Sequence, residues 1–163
     1  MTDFIIGIDP GMSGAIAVID IRNGLADVFD MPTVEIKINS AIKRRVAPEV
    51  IAAELRTFAP YATAFIEKVN AMPGQGVSSM FAFGEAYGLV RGVLAGMSIP
   101  CTTVTPAVWT KAMRVAAGKG GSRQRAMELW PDKASLFKRV KDDGRADAAL
   151  IAQWGRVFTT VTK

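Results

Sequence analysis

The sequence predicts an α/β domain built on one mixed five-stranded sheet, its first three strands antiparallel, with helices on its faces. Three observations predict it. Apolar runs at Phe4–Asp9, residues 14–20 and residues 24–31 follow one another across tight, glycine-containing turns. Two more apolar runs, at residues 62–66 and Cys101–Val104, alternate with stretches of helical spacing. The chain has 163 residues, 50% of them hydrophobic, which suits a single core, so residues 1–163 read as one domain without repeats or linkers.

The first strand, Phe4–Asp9, ends on a carboxylate, and Asn23-Gly24 is a hairpin turn between the second and third. Residues 48–58 space Val50, Ile51, Leu55 and Phe58 as one helical face, with Pro48 tolerated in the first turn. The fourth strand, residues 62–66, ends at Glu67. Pro73, Gly74 and Gly76 then mark a loop ahead of a long helix, Val77–Gly96. After the fifth strand Pro106 opens a helix that runs past Trp109. Residues 118–121 break the chain, Ser122 is placed to cap a helix carrying Met127 and Leu129, and Pro131 stops it. A last helix covers residues 143–158. This order of elements matches a ribonuclease H-like fold.

Composition excludes several chemistries. The chain has no histidine and one cysteine, so Ser-His-Asp triads, Cys-His pairs and imidazole or thiolate zinc sites cannot be built. Any metal must sit on carboxylates, which suits Mg²⁺, Mn²⁺ or Ca²⁺ and not zinc or copper. The lone Cys101 and the absence of a signal-like start fit a reducing cytoplasm, and Glu85 and Arg91 interrupt the one long apolar stretch, making it a poor membrane span. Charge is uneven: residues 1–100 carry 8 Lys and Arg against 10 Asp and Glu, and residues 101–163 carry 12 against 5. The basic C-terminal third points to a polyanionic partner.

Four acids stand out. Asp9 closes an apolar strand beside Gly11 and Gly14, where backbone can approach a phosphate closely. Glu67 closes the fourth strand, and the two carboxylates meet if those strands are neighbours. Asp143 and Asp147, four residues apart, lie within roughly 40° on one helical face. Asp142 is five residues from Asp147, about 140° round, and becomes the partner only if the helix starts later. In-line attack of water on a phosphodiester needs an activated nucleophile and a stabilised leaving oxygen, which two metal ions about 4 Å apart supply, and carboxylates are needed to hold them.

The runs Ile6-Gly7-Ile8-Asp9-Pro10-Gly11 with Ser13-Gly14, Ile66-Glu67-Lys68-Val69 followed by Met72-Pro73-Gly74-Gln75-Gly76, and Asp143-Gly144-Arg145-Ala146-Asp147-Ala148 resemble RuvC-type Holliday junction resolvases, particularly the compact phage-encoded members. The resemblance implies that Asp9, Glu67 and Asp147 are catalytic metal ligands, and that two Mg²⁺ ions, with Mn²⁺ as substitute, serve each site. It implies a homodimer that binds a four-way junction and makes paired nicks; a helicase partner is not indicated. In the cellular enzymes the fourth acid lies three residues before the last aspartate. Here that position is Gly144, and Asp143 takes the role, with Asp142 the alternative.

Candidate DNA contacts are Lys43, Arg44 and Arg45, between the third strand and the next helix, together with Lys111, Lys119 and Arg123. Met72 is a candidate wedge into opened base steps. Gly84, Gly88, Gly92 and Gly96 recur every four residues, and with Phe81 and Tyr87 they form a candidate dimer face, unless the glycines pack on the chain's own sheet. Rival readings are an actin-like ATP-binding fold, opposed by length, a non-catalytic junction-binding module, and a nuclease of the same fold acting on other branched DNA or RNA–DNA hybrids.

Overall fold

The structure, a computed structural model, describes residues 2–71 and 73–161, and side chains as far as residue 158. Met72, the candidate wedge, lies outside the described residues. β1 (Phe4–Asp9), β2 (Ala15–Asp20) and β3 (Gly24–Asp30) form an antiparallel meander. Strands β6 (Ala62–Glu67) and β7 (Cys101–Val104) join it in parallel on the other side of β1, giving the order β3-β2-β1-β6-β7. The five expected strands and the antiparallel start are all present.

Successive residues of a strand point to opposite faces, and β1 and β2 are apolar at nearly every position because both faces are covered. Ile5, Ala17 and Ile19 face one core with α5 (Asp143–Val161), through Ala148, Ala149 and Ile151. Ile6, Ile8 and Ile16 face the other core, formed with Ile51 and Leu55 of α1 (Pro48–Leu55) and with Ala86, Val90 and Leu94 of α2 (Val77–Gly96). Close contact between α5 and β1 depends on Gly7, where a Cβ would overlap the Ala148 carbonyl oxygen and the Ala152 nitrogen.

Three sequence expectations need correction. Residues 33–46 are not a plain connector: β4 (Thr33–Ile38) and β5 (Ala41–Val46) make a separate two-stranded hairpin, turned at Asn39 with a φ of 55°. Lys43, Arg44 and Arg45 therefore sit on a strand, Arg44 opposite Glu35, not in a loop. The first helix ends at Leu55 instead of residue 58, and a 3₁₀ turn at Ala59–Tyr61 leads into β6. Finally, α4 (Gly121–Leu129) is entered through Gly120 in the left-handed conformation, so Ser122 lies inside its first turn and does not cap it. The short α3 (Pro106–Ala112) carries the buried Trp109, and 3₁₀ turns at Pro131–Phe137 and Val140–Asp142 lead into α5.

Candidate active site

Parallel pairing of β1 with β6 sets Ile8 beside Ile66, so Asp9 and Glu67, the next residue of each strand, emerge side by side at one end of the sheet. Helix α5 lies over the same end. Its first turn touches the β1–β2 turn so closely that a Cβ on Gly144 would fall 2.7 Å from the Ser13 carbonyl oxygen and 2.9 Å from the Gly14 Cα. That contact brings Asp147 within electrostatic reach of both strand-end acids.

The carboxylates disturb one another. Burial, then the Asp147 charge, then the Glu67 charge push Asp9 up to about 7, against a small opposing effect of the Gly11 N–H, which donates to Asp9 Oδ1 at 3.5 Å. Burial also drives Asp147 up to about 6; a Ser122 hydrogen bond opposes this, and the Glu67 and Asp143 charges add to it. Glu67 is raised by burial and held back by the Trp109 indole, whose Nε1–H donates to Glu67 Oε2 at 2.7 Å.

Asp142 and Asp143, adjacent in sequence, have different surroundings. Asp142 is fully buried and takes hydrogen bonds from the Arg139 backbone N–H at 2.8 Å and from Arg139 Nη2 at 2.8 Å. Burial raises its pKa, but the Arg139 bonds outweigh that and hold it low. It joins the entry of α5 to the preceding turn, with Arg139 and Arg145 as its charged partners. Asp143 is half exposed, accepts from Arg123 Nε at 2.6 Å, and lines a depression with Asp147, Lys119, Gly121 and Ser122.

The basic residues are spread around this end. Lys119 borders the depression and Lys111 is exposed in the last turn of α3. Arg44 donates to the Met12 carbonyl and to Thr33 Oγ1, both at 3.2 Å, which ties the hairpin to the β1–β2 turn. Arg45 is ion-paired with Glu85 of α2, and Lys43 is exposed. The hairpin and α2 enclose a groove of about 540 Å³, lined by Met12, Lys43, Arg44 and Phe81, that contains none of the acids.

On α2 the face opposite Ala86, Val90 and Leu94 is open. A Cβ added at Gly84, Gly88, Gly92 or Gly96 would meet nothing within 4 Å, so these glycines do not pack on the chain's own sheet. Phe81 is 70% exposed, whereas Tyr87 is half-buried against the core with Arg91 over its ring. Sequence reasoning missed Trp109 and Ser122 as partners of the acids. Only the helical periodicity of Trp109 and the position of Ser122 near a helix start were visible, and neither names a partner.

The fold, a mixed five-stranded sheet flanked by helices with the order β3-β2-β1-β6-β7, is that of solved RuvC structures. This chain is similar to Thermus thermophilus RuvC, with a TM-score of 0.61 and 15% identity over 98% of this chain and 96% of that one. T. thermophilus RuvC in complex with a Holliday junction substrate gives 0.64 and 16% over 97% and 95%. The yeast mitochondrial Holliday junction resolvase Ydc2 gives 0.54 and 15% over 99% and 80%. These likenesses show the fold. A curated relative, the chloroplastic Holliday junction resolvase MOC1 of Chlamydomonas reinhardtii, is 31% identical over 94 residues, covering 55% of this chain. The chain spans about 10% of that relative's length. No family model matches. None of the described helices is long and apolar enough to cross a membrane.

The residues at this end of the sheet suit a divalent cation chemically. Asp9, Glu67 and Asp147 are all-oxygen donors, partly withdrawn from water, each bearing a raised pKa that a nearby cation would lower. Among the described residues no three of them close around a common point at ion-holding distance. The arrangement is one of acids grouped at a sheet end, not a finished cage.

Proposed function

We propose that this chain is a divalent-metal-dependent endonuclease that resolves four-way DNA junctions by paired nicks, acting as a homodimer. The observation that carries the reading is the gathering of Asp9, Glu67 and Asp147 at one end of the sheet, each raising or sharing in the raised pKa of another. The similarity to the RuvC complex with a Holliday junction supports junction DNA as the substrate.

Asp9, Glu67 and Asp147 would hold two Mg²⁺ ions, or Mn²⁺ in their place, with Asp143 as a fourth ligand once it leaves Arg123. Such ions supply an activated water and stabilise the leaving oxygen. The protein's own groups do the rest. Trp109 and Ser122 orient Glu67 and Asp147 by hydrogen bonds. Gly14 lets the β1–β2 turn pack directly on Asp9, since a Cβ there would overlap the Asp9 carbonyl oxygen and fall 2.9 Å from its Cγ, and the Gly11 N–H donates to Asp9 Oδ1. Lys119 lies where it can meet a phosphate at the edge of the depression.

The dimer is proposed to form through the open face of α2. Each glycine in a helix interior costs roughly 1 kcal/mol relative to alanine, and no contact within the chain offsets that at Gly84, Gly88, Gly92 or Gly96. Val77 and Phe81, 85% and 70% exposed, extend the same face as large apolar side chains. A second copy related by a two-fold axis would cover both features and present two sites to a two-fold-symmetric junction.

The experiment is incubation of wild type, Asp9→Asn and Glu67→Gln with Mg²⁺ and, side by side, a four-way junction, a flap, linear duplex and an RNA–DNA hybrid. Symmetric nicks in the junction by wild type alone, with junction binding kept in both variants, are expected. Cleavage by either variant would refute the site, and preferential cutting of the flap or hybrid would refute the substrate.

A further inference from the structure

Trp109 is 2% exposed, packed in the core that α5 forms with the sheet. Its indole nitrogen nevertheless reaches the sheet end and donates to Glu67 Oε2 at 2.7 Å. A buried indole N–H requires an acceptor, and a backbone carbonyl would serve a purely structural tryptophan. Here the acceptor is the carboxylate that closes β6 at the end of the sheet.

We infer that Trp109 is a positioning residue of the active site, holding the Glu67 carboxylate in one rotamer with Oε2 fixed so that it is ready to bind a divalent cation. The inference rests on the proposed metal-dependent reading of the site. Two physical points support it. The indole can only donate, so it fixes one carboxylate oxygen; it occupies Oε2 and leaves Oε1 without that donor. Ordering a free glutamate side chain costs rotamer entropy, which a site that already fixes the rotamer need not meet when the ion arrives. Placement is equally specific. β6 pairs with β7, Glu67 opposite Val104, and two residues later Pro106 starts α3, so the short link from β7 sets Trp109 beside the strand end that carries Glu67.

The test uses the full chain labelled with ¹⁵N at its indoles. The protein has three tryptophans, and Trp109→Phe, Trp130→Phe and Trp154→Phe assign the three Nε1–H resonances by difference. Mg²⁺ titration is expected to move the Trp109 resonance far more than the other two. In parallel, Trp109→Phe keeps an aromatic ring and loses the donor; its affinity for Mn²⁺, read from the free-ion EPR signal on protein shown to be folded by circular dichroism, is expected to fall about tenfold. If Trp109→Phe fails to fold, the wild-type resonance decides alone. A wild type that binds Mn²⁺ while the Trp109 resonance stays still, or a folded Trp109→Phe that binds it equally well, overturns the positioning role and leaves the nuclease reading standing. A wild type that binds no Mn²⁺ overturns both.

Discussion

Gly144, in the first turn of α5, rests directly on Gly14 of the β1–β2 turn: a Cβ on Gly144 would lie 2.9 Å from the Gly14 Cα. This backbone contact places Asp147 over Asp9, and it explains why the position at which the cellular resolvases are expected to carry an acid is a glycine here. No side chain fits there without moving the helix. Gly144→Asp, although it restores the family pattern, is expected to destabilise the protein by about 1–3 kcal/mol and to abolish junction cleavage. Thermal melting and a nicking assay check this, and a stable, active Gly144→Asp would show that α5 can shift without cost.

Asp142 and Asp143 should separate cleanly by mutation. Removing the buried carboxylate in Asp142→Asn takes the ionic partner from a half-exposed Arg139, with an expected loss of stability and near-normal cleavage per folded molecule. Asp143→Asn breaks a half-exposed pair with Arg123, changes stability by less than about 1 kcal/mol, and lowers cleavage. Denaturant unfolding and single-turnover nicking read the two effects. The reverse pattern would make Asp142 the functional acid.

Asp9 and Asp147 have folded-state pKa values of about 7 and about 6, above their ordinary value of 3.8. A carboxyl raised on folding adds stability that is fully present below the lower value and is lost as pH rises through the higher one. Without metal, the protein is therefore expected to lose on the order of 1–3 kcal/mol between pH 5 and pH 8. Asp9→Asn should flatten most of that slope, and Mg²⁺ should raise the melting temperature more at pH 8 than at pH 5.5. Melting curves in chelator across this range check the sign. Stability independent of pH there would mean that the acids do not burden one another.

The proposed dimer face predicts a size change. Gly88→Leu and Phe81→Glu each disturb an exposed position of α2 that touches little of the chain's own core, so neither should alter secondary structure. Both are expected to shift the protein from dimer to monomer in sedimentation at micromolar concentration. Unchanged assembly in both would place the dimer contact elsewhere.

The sheet was legible because β1, β2 and β6 are apolar at nearly every position, a pattern that only strands covered on both faces carry. Asp9 and Glu67 were legible because each ends such a run. The β4–β5 hairpin was not: it stands apart from the main sheet, so Lys43 and Arg44 replace the apolar residues that would have marked β5 as a strand. Trp109 reads locally as one more buried aromatic, since its bond to Glu67 joins residues 42 apart in sequence. The close approaches at Gly7 and Gly144 are likewise products of how α5 docks, and no local spacing encodes them. Asp142 and Asp143 could not be separated from sequence because their roles differ by which arginine each meets.

Asp9 and Asp147 come from opposite ends of the polypeptide and become neighbours only when α5 settles on β1. During synthesis the strand-end acids leave the ribosome long before their helical counterpart, and a polypeptide interrupted ahead of that helix carries half a cutting centre. On the proposed nuclease reading, the cutting centre thereby stays incomplete until folding is finished.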